Sequence, residues 1–334
     1  MKKLAAVIIV LLFTTFGWYR FSLLPVDSGS QERHNIKIPQ GTSVKGVAQI
    51  LKDKGVIKSP LSFELFIRFK RSADNVQAGT FIIRSSQSVS EIAEILRTGK
   101  AEEAIITIPE GYTVTQIDTL LSEKGFSEAG EISKCARTCD FSSFEFLPEV
   151  EGLAQRGGKL EGYLYPDTYY VAKEDFVAKF FLERMLTTFR KRVLMQYEEA
   201  IEKSDRTIHE LVTMASLIEK ETRSDAQRPV VSGILWKRYD DERGLGVDAT
   251  VRYILNKPTD EITREDLNNG SMYNTRKFRG LPPGPISTIS IESFKASIKP
   301  EQSPYWYYLH GTDGQIHYAE SNEEHNINRY NYIK

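Results

Sequence analysis

A twenty-residue segment near the start of the chain returns seventy positions later, and this repeat narrows the possible folds more than any other feature. Ile36–Gly55 reads IKIPQGTSVKGVAQILKDKG, and Ile106–Gly125 reads ITIPEGYTVTQIDTLLSEKG. At an offset of 70 the copies share Ile36/Ile106, Ile38/Ile108, Pro39/Pro109, Gly41/Gly111, Val44/Val114, Leu51/Leu121, Lys54/Lys124 and Gly55/Gly125. Each copy follows one physical logic: a short alternating strand ends at proline, a glycine turn follows, and a Ser or Thr N-cap opens a helix that stops at Lys-Gly. A weaker echo runs between them from Ser88-Val89-Ser90-Glu91-Ile92 through Leu96 to Gly99. Leu61–Phe69 is apolar at helical spacing and Gly79–Arg84 is patterned as a strand, so residues 35–84 read strand–helix–helix–strand. With 334 residues and about 150 per domain, two domains are expected. The class is α+β, with a small βααβ module over residues 35–104 and a larger mixed α+β domain over 105–334.

Ahead of the repeat, Lys2 and Lys3 precede Leu4–Tyr19, sixteen residues without a charge, followed by Arg20 and Phe21–Leu24. As a helix the uncharged run covers about 24 Å, and Phe21–Leu24 would extend it past a snorkelling Arg20. The run closes on Phe16, Gly17, Trp18, Tyr19 and Arg20 rather than on an A-x-A-like cleavage pattern. The expectation is therefore an uncleaved transmembrane anchor over residues 1–25, with a cleaved signal or an amphipathic helix as alternatives. The two lysines would place the N-terminus in the cytoplasm and the remainder outside a single-pass inner membrane, after a polar linker over 26–34. Cys135 and Cys139 then fall in a compartment that permits disulfides. An ideal helix would hold residues i and i+4 too far apart, which leaves a local loop staple or two free thiols. Forty-four basic against 45 acidic residues give no electrostatic footprint for nucleic acid.

Residues 126–160 read as mostly irregular, Phe176–Tyr197 and Thr207–Arg223 as helices, and Tyr305–His310 and Ile316–Ala319 as closing strands. His209-Glu210 opens like a zinc-protease helix, but Thr213 stands where the second histidine belongs. With no nucleophile elbow, P-loop or G-x-G-x-x-G, and no ligand set for a metal or cofactor, carboxylate chemistry remains. On the helix Thr207–Arg223, with Leu211 as the zero direction, Met214, Ala215, Ile218 and Thr222 lie within about 60° and form the buried face. Glu219 and Glu221 then stand on opposite borders of that face, with Lys220 directed to solvent. A border beside apolar surface is where desolvation can raise a carboxyl pKa towards that of a general acid. Two solvated charges, with Glu219 and Arg223 as an i,i+4 pair, are the plain alternative.

Ala215-Ser216-Leu217-Ile218-Glu219-Lys220-Glu221-Thr222 resembles the signature helix of the endolytic murein transglycosylases, the MltG or YceG-like family. Further stretches similar to that family follow in order: Glu161–Tyr169, Val247–Tyr253, Tyr273-Asn274-Thr275, Gly280–Ile286 and Glu324-His325-Asn326. The βααβ order and the Gly41-Thr42-Ser43 opening also resemble a LysM-type module, whose family binds N-acetylglucosamine; a small packing domain without ligand is the alternative. The resemblance implies cleavage of the β-1,4 bond between N-acetylmuramic acid and N-acetylglucosamine without water. Glu219 would protonate the leaving oxygen and then deprotonate the muramyl C6 hydroxyl, leaving a 1,6-anhydro end. It also implies nascent peptidoglycan strands as substrate and membrane peptidoglycan synthases as partners. Glu221 would orient Glu219 or bind substrate, and Asp248 and Asn274 would be hydrogen-bonding groups in the cleft unless they cap turns. Tyr163, Tyr165 and Tyr253 would stack on sugars unless they fill the core. Glu161, Glu324 and His325 would stand behind the site. A muramidase with Asp248 as remote base, or a non-catalytic wall-binding scaffold, are the rival readings.

Overall fold

The computed structural model describes residues 2–30, 32–70, 76–98, 103–149, 157–172, 176–222, 224–257 and 262–333. The chain divides into two compact units, residues 1–106 with 169–175, and residues 107–168 with 176–334. The structure is mixed α+β with few strands: three two-stranded sheets among the described residues.

The first unit begins with α1 (Lys2–Ser22), then β1 (Arg33–Ile38), α2 (Val44–Asp53), α3 (Pro60–Phe69), β2 (Gly79–Arg84) and α4 (Val89–Thr98). β1 and β2 pair antiparallel, from Arg33 opposite Arg84 to Ile38 opposite Gly79. Ile36 and Ile38 alternate inward and meet Val47, Ala48 and Leu51 of α2, Phe63 and Ile67 of α3, and Ile92 and Leu96 of α4 in one core. The Arg33 and Arg84 guanidinium groups both stand over the Tyr170 ring of this unit, 3.8 and 4.1 Å from its centre.

The expected transmembrane helix is corrected here: no helix among the described residues is long and apolar enough to cross a membrane. The uncharged run alone is shorter than a bilayer core of about 30 Å, so the expectation depended on Phe21–Leu24. Of those residues Ser22 and Leu23 are used on protein instead, while Phe21 and Leu24 stay exposed. The helix ends at Ser22, which is buried and donates its hydroxyl to Ser62. Leu23 packs on the core of this unit, and its carbonyl accepts from the Val89 N–H at 3.1 Å. The single-pass topology, with its cytoplasmic N-terminus, loses its basis with that helix.

β3 (Glu103–Thr107) pairs with β4 (Thr168–Ala172), and between them run α5 (Val114–Glu123) and α6 (Glu131–Thr138). The repeat is real in three dimensions. Gly41 and Gly111 take φ of 79° and 72° at the turn, where a side chain would strain the backbone. Ser43 accepts from Gly46 N–H and Thr113 from Gln116 N–H as N-caps, and Lys54 and Lys124 close the helices. The stretch read as irregular instead holds α6, because the buried Asp118 carboxylate accepts from Gly130 N–H, Ile132 N–H and the Ser133 hydroxyl and so starts a helix without a side-chain N-cap. Cys135 and Cys139 form a disulfide with their Cα atoms 4.8 Å apart. The objection from helix geometry fails because Cys139, with ψ of 151°, has already left the helix.

The rest of the second unit comprises α7 (Ala178–Phe189), continued by a π-helical turn over Arg190–Leu194, then α8 (Glu198–Glu202), α9 (Ile208–Glu221), α10 (Arg228–Asp240), α11 (Asp248–Leu255) and α12 (Ile291–Ile298). A hairpin of β5 (Tyr307–His310) and β6 (Ile316–Ala319) follows, and α13 (Asn322–Tyr332) ends the chain. α9 is the central element: Leu211–Ile218 are all buried, so it is covered on every side rather than along one stripe.

Candidate active site

The N-terminus of α9 is fixed by a capping box in which Thr207 and Glu210 satisfy each other's backbone N–H groups. Further along, the buried Ser216 hydroxyl donates to Thr213 O and accepts from Ile286 N–H at 3.1 Å, which ties the Gly280–Ile286 loop to the helix. One turn later Glu219 meets the start of α12. Its Oε2 accepts from the Ser290 N–H at 3.0 Å and from the Ser290 hydroxyl, while the same hydroxyl accepts from Ser293 N–H as the N-cap of α12. Its Oε1 lies 3.6 Å from Nη2 of Arg228, which also pairs with Asp225. Glu219 and Arg228 side chains are only 8% and 7% exposed, so the helix border read from the sequence is covered by neighbours rather than by solvent.

A third segment closes on this pair. Gly111 N–H donates to Thr288 O, Thr288 N–H to Tyr112 O at 2.7 Å, and Tyr112 N–H to the Thr288 hydroxyl. Lys220 is exposed but not idle: its ammonium donates to Gly111 O at 3.1 Å. Glu110 is thereby held at the rim of the site. Partial burial raises its pKa, reinforced by the charges of Glu219 and Glu292. Tyr165 is half-buried in the same region; burial raises its pKa, with Glu110 and Glu292 among its charged neighbours.

Other residues expected in the cleft are elsewhere. The Glu221 carboxyl accepts from Tyr308 OH at 2.7 Å; its burial raises its pKa, with Asp248, Arg238 and Arg276 as charged neighbours. Asp248 begins α11 and pairs with Arg276, so it belongs with Glu221, and no described hydrogen bond or ion pair links it to Glu219. Tyr163 offers no face to a sugar: it is fully buried against Phe146 and Phe189, and its hydroxyl meets His209 Nδ1 at 2.9 Å. Tyr253 is buried beside Tyr273 and donates to Glu161, whose other oxygen accepts from Val114 N–H. Both Glu161 and Tyr253 therefore brace the start of α5. Asn274 is buried and donates to Leu267 O and Asn269 O, closing its own loop. Glu324 accepts from Glu320 N–H at the start of α13, and His325 stacks on Tyr307 with its pKa lowered by burial. Arg223, the alternative partner for Glu219, lies outside the described residues. His209 is held between Tyr163 and the Pro283 carbonyl, and no described group of three or more His, Cys, Asp or Glu is placed to hold a metal ion.

Sequence reasoning missed Ser290, Arg228, Glu110 and Glu292. One signal was present, since the repeat has Gln40 in its first turn and Glu110 in its second. Ser290 also stands three residues before Ser293 at a helix start, a capping pattern.

The sequence model described as the YceG-like family matches residues 36–331. A protein of Bacillus subtilis named endolytic murein transglycosylase is 32% identical over 94% of this chain and 89% of its own length. One of the same name from Streptococcus pneumoniae is 29% identical over 92% of this chain, which spans 60% of that longer relative. The crystal structure of a YceG-like protein from Listeria monocytogenes superposes with a TM-score of 0.61 at 29% identity, covering 89% of this chain and 99% of that one.

Proposed function

The chain belongs to the YceG-like family, and we propose that it is an endolytic murein transglycosylase that uses Glu219 as acid and then as base. The observation that carries this reading is the hydrogen bonding of one buried carboxyl. Oε2 of Glu219 already accepts two hydrogen bonds from Ser290, while Oε1 stands beyond hydrogen-bond distance from Arg228. Oε1 is therefore the oxygen free to carry a proton to the leaving glycosidic oxygen and later to receive one from the muramyl C6 hydroxyl. Ring closure of that hydroxyl onto C1 leaves a 1,6-anhydro end, and the carboxyl returns to its starting state. Asp248, the base a hydrolytic mechanism would call on, is engaged by Arg276 beside Glu221. A hydrolase would hold a second carboxyl facing the first across the bond.

Peptidoglycan strands are the substrate in this reading, and half-buried Tyr165, with Glu110 and Glu292 among its charged neighbours, is the aromatic that would meet them. The first unit is the glycan-holding module; its supporting feature is a groove between the starts of α2 and α3, lined by Ser43, Lys45, Gln49, Ser59, Leu61 and Glu64. Work beside peptidoglycan synthases rests on the family resemblance alone. The test is digestion of uncrosslinked glycan strands with product ends read by mass spectrometry. Ends one water lighter than reducing ends, in fragments cut from strand interiors, are expected. Reducing ends would replace this reading with the muramidase, and binding without cleavage with the scaffold.

A further inference from the structure

The turn between α9 and α10 holds one cation beside Glu219. Thr222, the C-cap of α9, donates its hydroxyl to the Gln227 side-chain carbonyl at 2.8 Å and accepts from Ser224 N–H. The Ser224 carbonyl then accepts from the N–H groups of Gln227 and Arg228 at 3.0 and 3.2 Å. These bonds wind residues 224–228 into the start of α10 and set Asp225 three positions before Arg228, where its carboxylate takes Nη1 of the guanidinium. Glu219, three positions before Thr222, faces the other terminal nitrogen, Nη2. Its carboxyl is already held in place, because two Ser290 donors fix Oε2. The 3.6 Å gap between Oε1 and Nη2 is therefore set by where Arg228 sits.

Nothing on the Glu219 side keeps that gap open. The Arg228 side chain is almost fully buried, and its Nε has no hydrogen-bond partner among the described residues. A buried guanidinium with unused donors is costly, and a charge-assisted bond to a second carboxyl is the strongest relief within reach. A movement of about 0.5 Å would bring Nη2 within hydrogen-bond distance of Oε1. Asp225 opposes that movement. Its side chain is mostly exposed, so it draws the same guanidinium towards solvent and away from Glu219.

Building on the reading of Glu219 as acid then base, we propose that Asp225 is a positioning residue for the reaction: by holding Arg228 it stops the guanidinium from closing on Oε1 of Glu219 and keeps that oxygen open to substrate. Asp225 acts through Arg228. The work on one carboxyl is thus divided, with Ser290 fixing Oε2 and Asp225 keeping Oε1 unoccupied. Because Asp225 is exposed, its ion pair contributes little to stability, and removing it leaves the fold intact.

The experiment uses the full chain and its Asp225→Ala, Asp225→Asn and Asp225→Glu variants. Crystal structures give the distance between Oε1 of Glu219 and Nη2 of Arg228, and uncrosslinked glycan strands give kcat and KM. In Asp225→Ala the gap is expected to close to about 3 Å, a hydrogen bond. Substrate must then displace a charge-assisted bond, so kcat should fall about 10- to 100-fold, with KM within about twofold and the melting temperature little changed. Asp225→Asn, which keeps an acceptor oxygen but loses the charge, should fall between, and Asp225→Glu should restore most of kcat. A gap that stays open in Asp225→Ala overturns the proposal whatever happens to the rate, because a merely structural turn would lose activity without moving Arg228 onto Glu219. A gap that closes with kcat unchanged also overturns it, since Oε1 would then not need to be open. Reducing ends from the unmodified protein would instead sink the transglycosylase reading, independently of the distance measured in the variants.

Discussion

The Ser290 hydroxyl has two duties, and substitution can separate them. It accepts from Ser293 N–H as the N-cap of α12 and donates to Oε2 of Glu219, which keeps the Ser290 N–H as a second donor. Ser290→Ala removes both duties. Loss of an N-cap costs about 1 kcal/mol, and loss of a hydrogen bond to the buried carboxyl costs about 1–3 kcal/mol before the remaining N–H and relaxation reduce it. A total of about 2–3 kcal/mol at about 2–4 °C per kcal/mol lowers the melting temperature by roughly 4–12 °C. Ser290→Gly removes the donation to Glu219 but leaves the cap within a few tenths of a kcal/mol, because glycine is tolerated at that position. The two variants should therefore share one catalytic defect, a fall in kcat of about 10- to 100-fold with KM little changed, while differing in stability by about 1 kcal/mol. Urea denaturation and turnover of glycan strands measure the two quantities separately. Wild-type kcat in Ser290→Gly would refute the reasoning, since the hydroxyl would then serve the helix alone.

Tyr253→Phe should cost about 1.5–3 kcal/mol by leaving the buried Glu161 short of a donor, and KM should not change, as checked by melting and by steady-state kinetics. Gly233→Ala should cost about 3 kcal/mol or more or prevent folding, because its Cβ would stand 1.9 Å from the Glu301 carbonyl oxygen; soluble yield and denaturation report it. Glu221 has a pKa raised by burial above the ordinary 4.5, so its native form holds a proton that the unfolded chain releases. That stabilisation is complete below pH 4.5 and is lost as pH rises through the raised value, so Glu221→Gln should flatten the fall in melting temperature over that window. An identical pH profile in both proteins would count against the assignment.

The repeat made the first part of the fold legible because its signals are local. A Ser or Thr cap, a glycine at positive φ and a Lys-Gly stop each act within four residues, and β1–α2 and β3–α5 follow them closely. α6 escaped notice because its start depends on Asp118, twelve residues before Gly130, which no window of local propensity contains. α13 escaped because its apolar content is low, although Ser321 followed by Glu324 is a capping pattern. The membrane-spanning expectation failed at Ser22 and Leu23, whose apolar neighbourhood belongs to the first unit. In the site, helical periodicity placed Glu219 at the edge of the buried face. It could not show that Ser290, 71 positions away, and Arg228 would cover that edge. The tyrosines and Asn274 lie in stretches similar to the family's, yet Tyr163, Tyr253 and Asn274 are buried braces: a motif keeps residues for packing as readily as for contact with substrate.

The most direct test of the account replaces Glu219 alone. Glu219→Gln keeps the size of the side chain and an oxygen for the Ser290 donors but cannot give up and regain the proton. The folded variant, with a melting temperature near that of the unmodified protein, should release no anhydro ends from glycan strands that the unmodified protein cuts. Anhydro ends formed by Glu219→Gln at a comparable rate would contradict the claim that this carboxyl carries the reaction.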